Sequence, residues 1–417
     1  MSFLKKYFKG DPHIWAIIVG LSMFSLLAVY SSTGMLAYRF AGGNTAIYII
    51  RHSGFMVIGL LTAFILHMFP YKYYARISQW MILIVIPLLL ITLLYGVVAN
   101  MASRWISLFG IITFQTSDLA KMALIMYLAQ RLASKQNEIL DFKKTLLPMY
   151  IVTCVVCVLI MPANFSTAAL LFMVCVIMFF IGRASIKQLA GLCAITLLVG
   201  VVLIAGLYGL QKVGVNTVVT QRVVTWVGRI DSHFNSESQK DNYQVKQAKI
   251  AIGTGGVIGN GPGNSVQRNF LPHPYSDFIF AIIIEEWGII GGIVVIFLYI
   301  NLLFRSIAIV RKCDKTFPAF LVMGLSLIIV FQALINMAVA VGLLPVTGQT
   351  LPLISMGGTS ILFTSAAFGI ILSISREVRK DDLLRAELAP VQTDPTQPIV
   401  VDTDHEEENI DQYVINK

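Results

Sequence analysis

The feature that most constrains this chain is a series of apolar runs, each long enough to cross a lipid bilayer. A crossing helix takes about 20 apolar residues, and such runs fall at approximately 14–32, 47–68, 78–97, 117–133, 146–162, 166–182, 188–209, 277–301, 317–341 and 358–375. With 57% hydrophobic and only 13% charged residues, the chain is far more apolar than a water-soluble globular protein. The expected fold is an all-α polytopic membrane protein of about ten transmembrane helices, with a large extracytoplasmic loop between helices 7 and 8. Residues 1–13 read as a cytoplasmic N-terminus, 14–376 as the transmembrane domain with its outer loop at about 211–276, and 377–417 as an acidic, disordered cytoplasmic tail. Ten crossings use roughly 200 residues, which argues against a separate soluble enzyme domain. The first run follows Lys5, Lys6 and Lys9, is long enough to span and lacks a clear small-residue cleavage site, so it reads as an uncleaved first helix.

The net charge of +9 is unevenly spread: eleven of the 22 acidic residues lie in 377–417, and residues 1–376 carry 27 basic against 11 acidic groups. A basic balance can signal nucleic acid. Here the cations sit in short segments between apolar runs, where they orient helices and face anionic headgroups, so no nucleic-acid partner is expected. With the N-terminus in the cytoplasm, nearly every short inner loop carries Lys or Arg, whereas the short outer loops carry chiefly Arg39 and Arg104. Cys154, Cys157, Cys175 and Cys193 fall inside apolar runs and read as packing. His52 and His273 lack metal-ligand spacing, so no zinc is expected.

Three outer segments stand apart. Residues 100–117 include SRWISLFGIITFQTS, too short and polar to cross, and read as an interfacial or re-entrant stretch anchored by Trp105 and Phe109. Residues 211–276 form the long loop, with a net charge of +4; its length beyond a mere connection implies function. Residues 342–358, GLLPVTGQTLPLISMGG, carry prolines and glycines that break helix where the tenth span begins.

A charged group in a span costs about 2.5–3.5 kcal/mol on insertion scales, so each one needs a reason. They are Arg51 and His52 in the second run, Asp118 and Lys121 in the fourth, and Asp277, Glu285 and Glu286 in the eighth. All but the two glutamates fall at the outer ends of their helices, and this shared depth is the main signal for a site. Asp118 and Lys121 are three apart and share a helix face. They form either a local ion pair, with Ser117 or Thr116 capping the helix, or a phosphate-holding cation at Lys121. Asp277 opens the eighth run as a helix N-terminal carboxylate, or serves as a general base toward a sugar hydroxyl. Glu285 lies eight residues on, about 12 Å deeper and about 80° round the helix, and Glu286 points roughly opposite Asp277, so the two cannot both join it and one reads as a helix-to-helix hydrogen-bonding group. The glycine-rich run GTGGVIGNGPGNS at 253–265 is no P-loop, since it lacks Gly-Lys-Ser/Thr. Either its backbone N–H groups face an anion or it is simply flexible.

Taken together, SRWISLFGIITFQTSDLAK, GTGGVIGNGPGNSVQRNFLPHPYSDFIFAIIIEEWG and NMAVAVGLLPVTGQTLPLISMGGTS resemble the signature regions of the SEDS family, the bacterial shape, elongation, division and sporulation proteins. The likeness covers about residues 10–380, and the length and tail resemble the division branch (FtsW) more than the elongation branch (RodA). It implies a peptidoglycan glycosyltransferase that polymerises lipid II outside the cytoplasmic membrane, with both termini inside, at the division septum. Asp277 stands at the family's essential aspartate. Where the family's motif has histidine two residues earlier this chain has Tyr275, which leaves the part of His273 open. Asp118 stands where most relatives carry glutamate. Asn164 stands where the motif carries a carboxylate, which argues against an acid–base role there. The resemblance implies Asp277 as base; of the cations near the outer rim, Arg104, Lys121 and Arg222, then Lys246 and Lys249, are the candidates for stabilising the departing diphosphate, and Asp118, His273 and Ser276 are further candidate substrate contacts. It is compatible with a divalent cation, Mg or Mn, for which spacing supplies no ligand set, and implies no organic cofactor. Implied partners are a class B penicillin-binding protein transpeptidase, other division proteins and membrane lipids. A lipid II flippase is a competing reading, but it calls for charges at mid-membrane and on both sides. A non-catalytic scaffold is another.

Overall fold

A computed structural model describes residues 8–388 except 41, 100–101, 109–111, 216 and 235–238. The chain divides into two units, residues 1–379 and 380–417. The helices are α1 (Pro12–Ser32), α2 (Gly34–Phe40), α3 (Ala46–Met68), α4 (Tyr71–Tyr95), α5 (Thr116–Ser134), α6 (Leu147–Ile160) and α7 (Phe165–Ile181). They continue as α8 (Ile186–Lys212), α9 (Val218–Phe234), α10 (Gln239–Gly255), α11 (Ile279–Lys312), α12 (Thr316–Ala340) and α13 (Thr359–Leu388). Among the described residues, eight helical segments are long and apolar enough to cross a membrane. The other two of the ten apolar runs coincide with α7, apolar but 17 residues long, and α5, whose Asp118, Lys121 and Arg131 lower its hydropathy.

The helices start and stop for local reasons. Asp11 caps α1 by accepting from His13 N at 2.8 Å, with Pro12 in the first turn. Pro70 precedes α4, which therefore begins well before the apolar run at 78. Asn164 caps α7 by accepting from Thr167 N at 3.2 Å, a structural use for a residue that stands where a carboxylate was expected.

Four sequence expectations change. The stretch at 100–117, expected as interfacial or re-entrant with no secondary structure assigned, holds together with the residues just before it a three-stranded antiparallel sheet, β1 (Val97–Ala99), β2 (Ala102–Leu108) and β3 (Ile112–Gln115), with Trp105 opposite Gln115 and Ile106 opposite Phe114. The alternation of apolar and polar residues is the period-2 pattern of a strand. Phe109 and the side chain of Trp105 lie outside the described residues. The 211–276 segment contains two helices, α9 and α10, rather than plain loop. Helix continues through Leu388, so the tail begins as helix; residues 389–417 lie outside the described residues. Finally, α11 starts at Ile279, two residues after Asp277, and is broken at Gly288 (φ 68°, ψ −174°).

The core gathers the largest fully buried side chains, Tyr299, Phe179, Phe278 and Phe368. Outside it, α8 keeps only 6% of its apolar window buried, with Leu197, Leu198, Val201 and Val202 exposed. In a soluble protein that surface would be a liability; on a bilayer-spanning helix it faces acyl chains. One end of the bundle gathers an Asp11–Arg305 ion pair, Arg376 on Met68 O at 2.9 Å and Arg379 on Gly10 O at 3.2 Å.

Candidate active site

The site is organised around the non-helical segment that joins α12 to α13. Irregular backbone inside a membrane protein is tolerated only where protein or water satisfies its polar groups, and here side chains from several helices do so. Gln332 Nε2 donates to Thr350 O at 3.0 Å and Asn336 Nδ2 to Gln349 O at 2.7 Å. Ser25 Oγ donates to Ile354 O at 2.8 Å, Tyr299 donates to Pro352 O, and Arg229 reaches Val346 O at 3.3 Å. His52 Nε2 lies 2.8 Å from Ser25 Oγ, so this buried histidine serves the same segment. Leu353 holds φ 65°, a strained value for a residue with a side chain; it is 2% exposed and held in place by packing.

Asp277 lies in the turn that abuts this segment. Met356 N donates to Tyr275 O at 2.9 Å, Ser355 Oγ to Ser276 O at 2.6 Å, and Asn336 Nδ2 to Asp277 O at 2.9 Å. Ser276 Oγ donates to Asp277 Oδ1 at 2.8 Å. Asp277 Oδ2 lies over Gly348, where a Cβ would stand 3.7 Å away. Asp277 is thus held by three elements, without being part of helix α11 as the sequence predicts.

The fourth apolar run contributes an ion pair, Lys121 Nζ to Asp118 Oδ1 at 2.8 Å. Neither Ser117 nor Thr116 caps the helix, because α5 begins at Thr116 with Gln115 at its cap and no side-chain cap bond. Lys121 Nζ also donates to Gln332 Oε1 at 2.8 Å, so two of its three N–H donors are engaged. Asp118 Oδ2 is buried and has no hydrogen-bond partner among the described residues. Both line a cleft between α5, α12 and α13, polar at Asp118, Lys121, Gln332, Ser360 and Thr364 and apolar at Leu325, Ile328 and Phe363. An apolar trough with a few convergent polar groups is what an amphipathic ligand requires.

The remaining predicted residues are placed differently. Arg104 lies on β2, its side chain outside the described residues. Arg222 is 7% exposed and so does not stand on an open cationic rim. Lys246 sits on an exposed face of α10. Lys249 lies over Gly342, where an added Cβ would meet its Cε at 2.3 Å, which brings it to the start of the organising segment. His273 is exposed, with φ 57°, and its Nδ1 is 3.1 Å from the Tyr275 hydroxyl. Burial, then the charge of Asp277, pushes the Tyr275 phenol above its ordinary range, so at neutral pH it stays protonated and can donate but not act as base.

Both glutamates of α11 are structural. Glu285 accepts from Val266 N at 2.9 Å, Gln267 N at 3.1 Å and Ser265 Oγ. Glu286 accepts from Ser31 Oγ on α1 and Ser265 N, and Arg268 Nη1 donates to Ser31 O at 3.0 Å. Backbone N–H groups after the glycine run do face an anion: it is the protein's own Glu285. The Val257 backbone packs directly on Gly288.

Among the described residues no three His, Cys, Asp or Glu side chains gather where they could hold a metal. Asp277, whose carboxylate accepts from the Ser276 hydroxyl, belongs to no such group among the described residues.

Gln332 and Asn336 are site residues that charge alone does not reveal. Two amides four apart in an apolar run are the signal that would have found them.

These features define a polytopic membrane protein whose lipid-facing bundle holds an acidic turn and a lysine-bearing cleft against one irregular segment. The chain belongs to the FtsW/RodA/SpoVE family, described as "Cell cycle protein", whose profile matches residues 12–380. It is 34% identical over 371 residues to the protein named "Probable peptidoglycan glycosyltransferase FtsW" of Coxiella burnetii (strain RSA 493 / Nine Mile phase I), covering 87% of this chain and 96% of that one. It is 32% identical over 380 residues to "Stage V sporulation protein E" of Bacillus subtilis (strain 168), covering 89% and 99%. The fold is similar to that of Thermus thermophilus rod shape determining protein RodA, with TM-score 0.62, 23% identity and coverage of 88% and 97%. It is also similar to a chain from a study of "polymerization and crosslinking by a peptidoglycan synthase complex", with TM-score 0.65, 24% identity and coverage of 89% and 99%.

Proposed function

We propose that this chain is a peptidoglycan glycosyltransferase that polymerises lipid II into β-1,4-linked glycan strands at the division septum. The observation that carries the reading is Asp277, whose carboxylate accepts from the Ser276 hydroxyl beside the Gly348 turn and whose backbone carbonyl accepts from Asn336, near the outer end of a helix. The names of the relatives support the activity, and the septal role extends it. The Asp277 carboxylate takes the proton of the acceptor sugar's 4-hydroxyl as that oxygen attacks the anomeric carbon. The C1–O bond to diphosphate breaks on the opposite face, inverting the centre, and undecaprenyl diphosphate leaves. Lys121, with an N–H left beyond Asp118 and Gln332, stabilises the departing charge, and the apolar cleft wall receives part of the polyprenyl chain. Arg104 and Lys249 are further cations for the diphosphate. A bound divalent cation would add charge neutralisation at the diphosphate.

The working partner is a class B penicillin-binding protein, which crosslinks the strand as it emerges. Both termini face the cytoplasm and Asp277 faces outward. The test is purified chain with that partner and labelled lipid II, with products read on a gel. Wild type yields a glycan ladder. Asp277→Asn, with an unchanged melting temperature, loses at least about 10²-fold, within the range for a general base. A ladder of wild-type intensity from Asp277→Asn would exclude the base, and transbilayer movement of lipid II without polymer would favour a flippase.

A further inference from the structure

Gln332 and Asn336 stand four residues apart on α12 and therefore on one face of it. They are 7% and 1% exposed, neutral amides in an otherwise apolar helix. Their donors go to consecutive carbonyls of one segment, Thr350 O from Gln332 at 3.0 Å and Gln349 O from Asn336 at 2.7 Å. Each also grips one half of the site. Gln332 Oε1 accepts from Lys121 Nζ at 2.8 Å, and Asn336 Nδ2 donates a second bond to Asp277 O at 2.9 Å. Gly348, the residue before this gripped pair, lies against Asp277 Oδ2.

We propose that Gln332 and Asn336 are positioning residues that work as one unit, setting the spacing between the Lys121 ammonium and the Asp277 carboxylate. The proposal rests on the reading of Asp277 as base and Lys121 as diphosphate cation. Its physical basis is a difference in stiffness. The 348–350 backbone makes no helix or sheet of its own, whereas one turn of α12 is a ruler of fixed rise, about 6 Å for four residues. Anchoring two successive carbonyls to that ruler places both the turn beneath Asp277 and the acceptor of Lys121. Were the amides mere partners for buried carbonyls, removing each would lower stability independently and leave the kinetics of folded protein unchanged.

The test is steady-state polymerisation of labelled lipid II by full-length chain with its transpeptidase partner, for Asn336→Ala, Gln332→Ala, the double variant and Asp277→Asn. Asn336→Ala is expected to lower kcat at least about tenfold with KM little changed, since misplacing a reacting group by 1 Å costs up to roughly 10²-fold. Gln332→Ala, which frees the ammonium, raises KM. Gln332→Glu, which keeps an acceptor for Lys121 but loses the donor to Thr350 O, restores KM only in part. In kcat/KM the double variant falls no more than about threefold below the weaker single, because the spacing is already lost. Losses that multiply in the double variant overturn the unit, as do singles with wild-type kinetics and only a lowered melting temperature. If Asn336→Ala does not fold, Asn336→Ser, which keeps one donor, takes its place; an unchanged kcat there also overturns it. Wild-type activity in Asp277→Asn sinks the base reading itself, whereas an inactive Asp277→Asn beside unaffected amide variants sinks only this proposal.

Discussion

The Glu285 carboxylate is 1% exposed inside an apolar helix, a position whose desolvation costs several kcal/mol unless hydrogen bonds offset it. Two backbone N–H groups and the Ser265 hydroxyl provide that offset and at the same time close the turn after the glycine run. Glu285→Ala would strand those donors at about 1–3 kcal/mol each when buried. It is expected to lower the melting temperature in detergent by much more than Glu285→Gln, which keeps an acceptor oxygen. A fall no larger than that of the exposed neighbour Asn264→Ala would contradict this role. The same residue marks how far single positions are legible in sequence. Charges in apolar runs announce themselves by their cost, so Asp118, Lys121, Asp277 and the two glutamates all stand out against the apolar residues on either side. What each charge meets depends on distant chain: Ser31 and Ser265 reach Glu286 from different elements, which no local spacing reveals. Gln332 and Asn336 carry no charge and raise no alarm.

At the scale of elements, the glycine-rich run seats against the break in α11 by direct contact of backbones. A Cβ at Gly255 would lie 2.1 Å from Ile284 O, one at Gly259 2.3 Å from Glu286 O, and one at Gly288 2.1 Å from Val257 O. Asn260 N and Gly261 N donate to Glu285 O and Glu286 O at 3.0 Å, carbonyls that the broken helix leaves without helical partners. Gly288→Ala adds both that clash and a side chain at φ 68°. It is expected to unseat the run, seen as faster hydrogen exchange across 256–266, whereas Gly253→Ala, with open space around its Cβ position, leaves exchange unchanged. Equal exchange in the two variants would show that the seat does not depend on close approach. The apolar runs are legible as elements because length and composition are local properties. The β2–β3 hairpin is not read as one because its alternation, with Trp105 and Phe109 prominent, also fits an interfacial stretch, and only pairing between strands separates the two. The break at Gly288 is equally hidden, since a glycine in an apolar run more often marks close helix packing.

At the scale of the whole molecule, the charges define two ends. Arg305, Arg311 and Lys312 close α11, and Arg305 pairs with Asp11 at the start of α1, while Arg376 and Arg379 reach Met68 and Gly10. Asp277 precedes the opposite end of α11. The stretch from Ile289 to Lys312 alone spans about 36 Å at helical rise, more than the ~30 Å hydrocarbon core, so the two ends belong on opposite faces of a bilayer. The positive-inside bias supports the proposed orientation, with the arginine end in the cytoplasm and the Asp277 turn outside. In a chain whose five native cysteines are replaced, His273→Cys is expected to react with a membrane-impermeant maleimide on intact spheroplasts. Arg311→Cys, also exposed, is expected to react only after the membrane is opened. The reverse pattern would put the acid on the side where a lipid-linked sugar has not yet been exported. The mechanism would then lose its substrate even if every distance around Asp277 stood, because a general base acts only on a hydroxyl that can reach it.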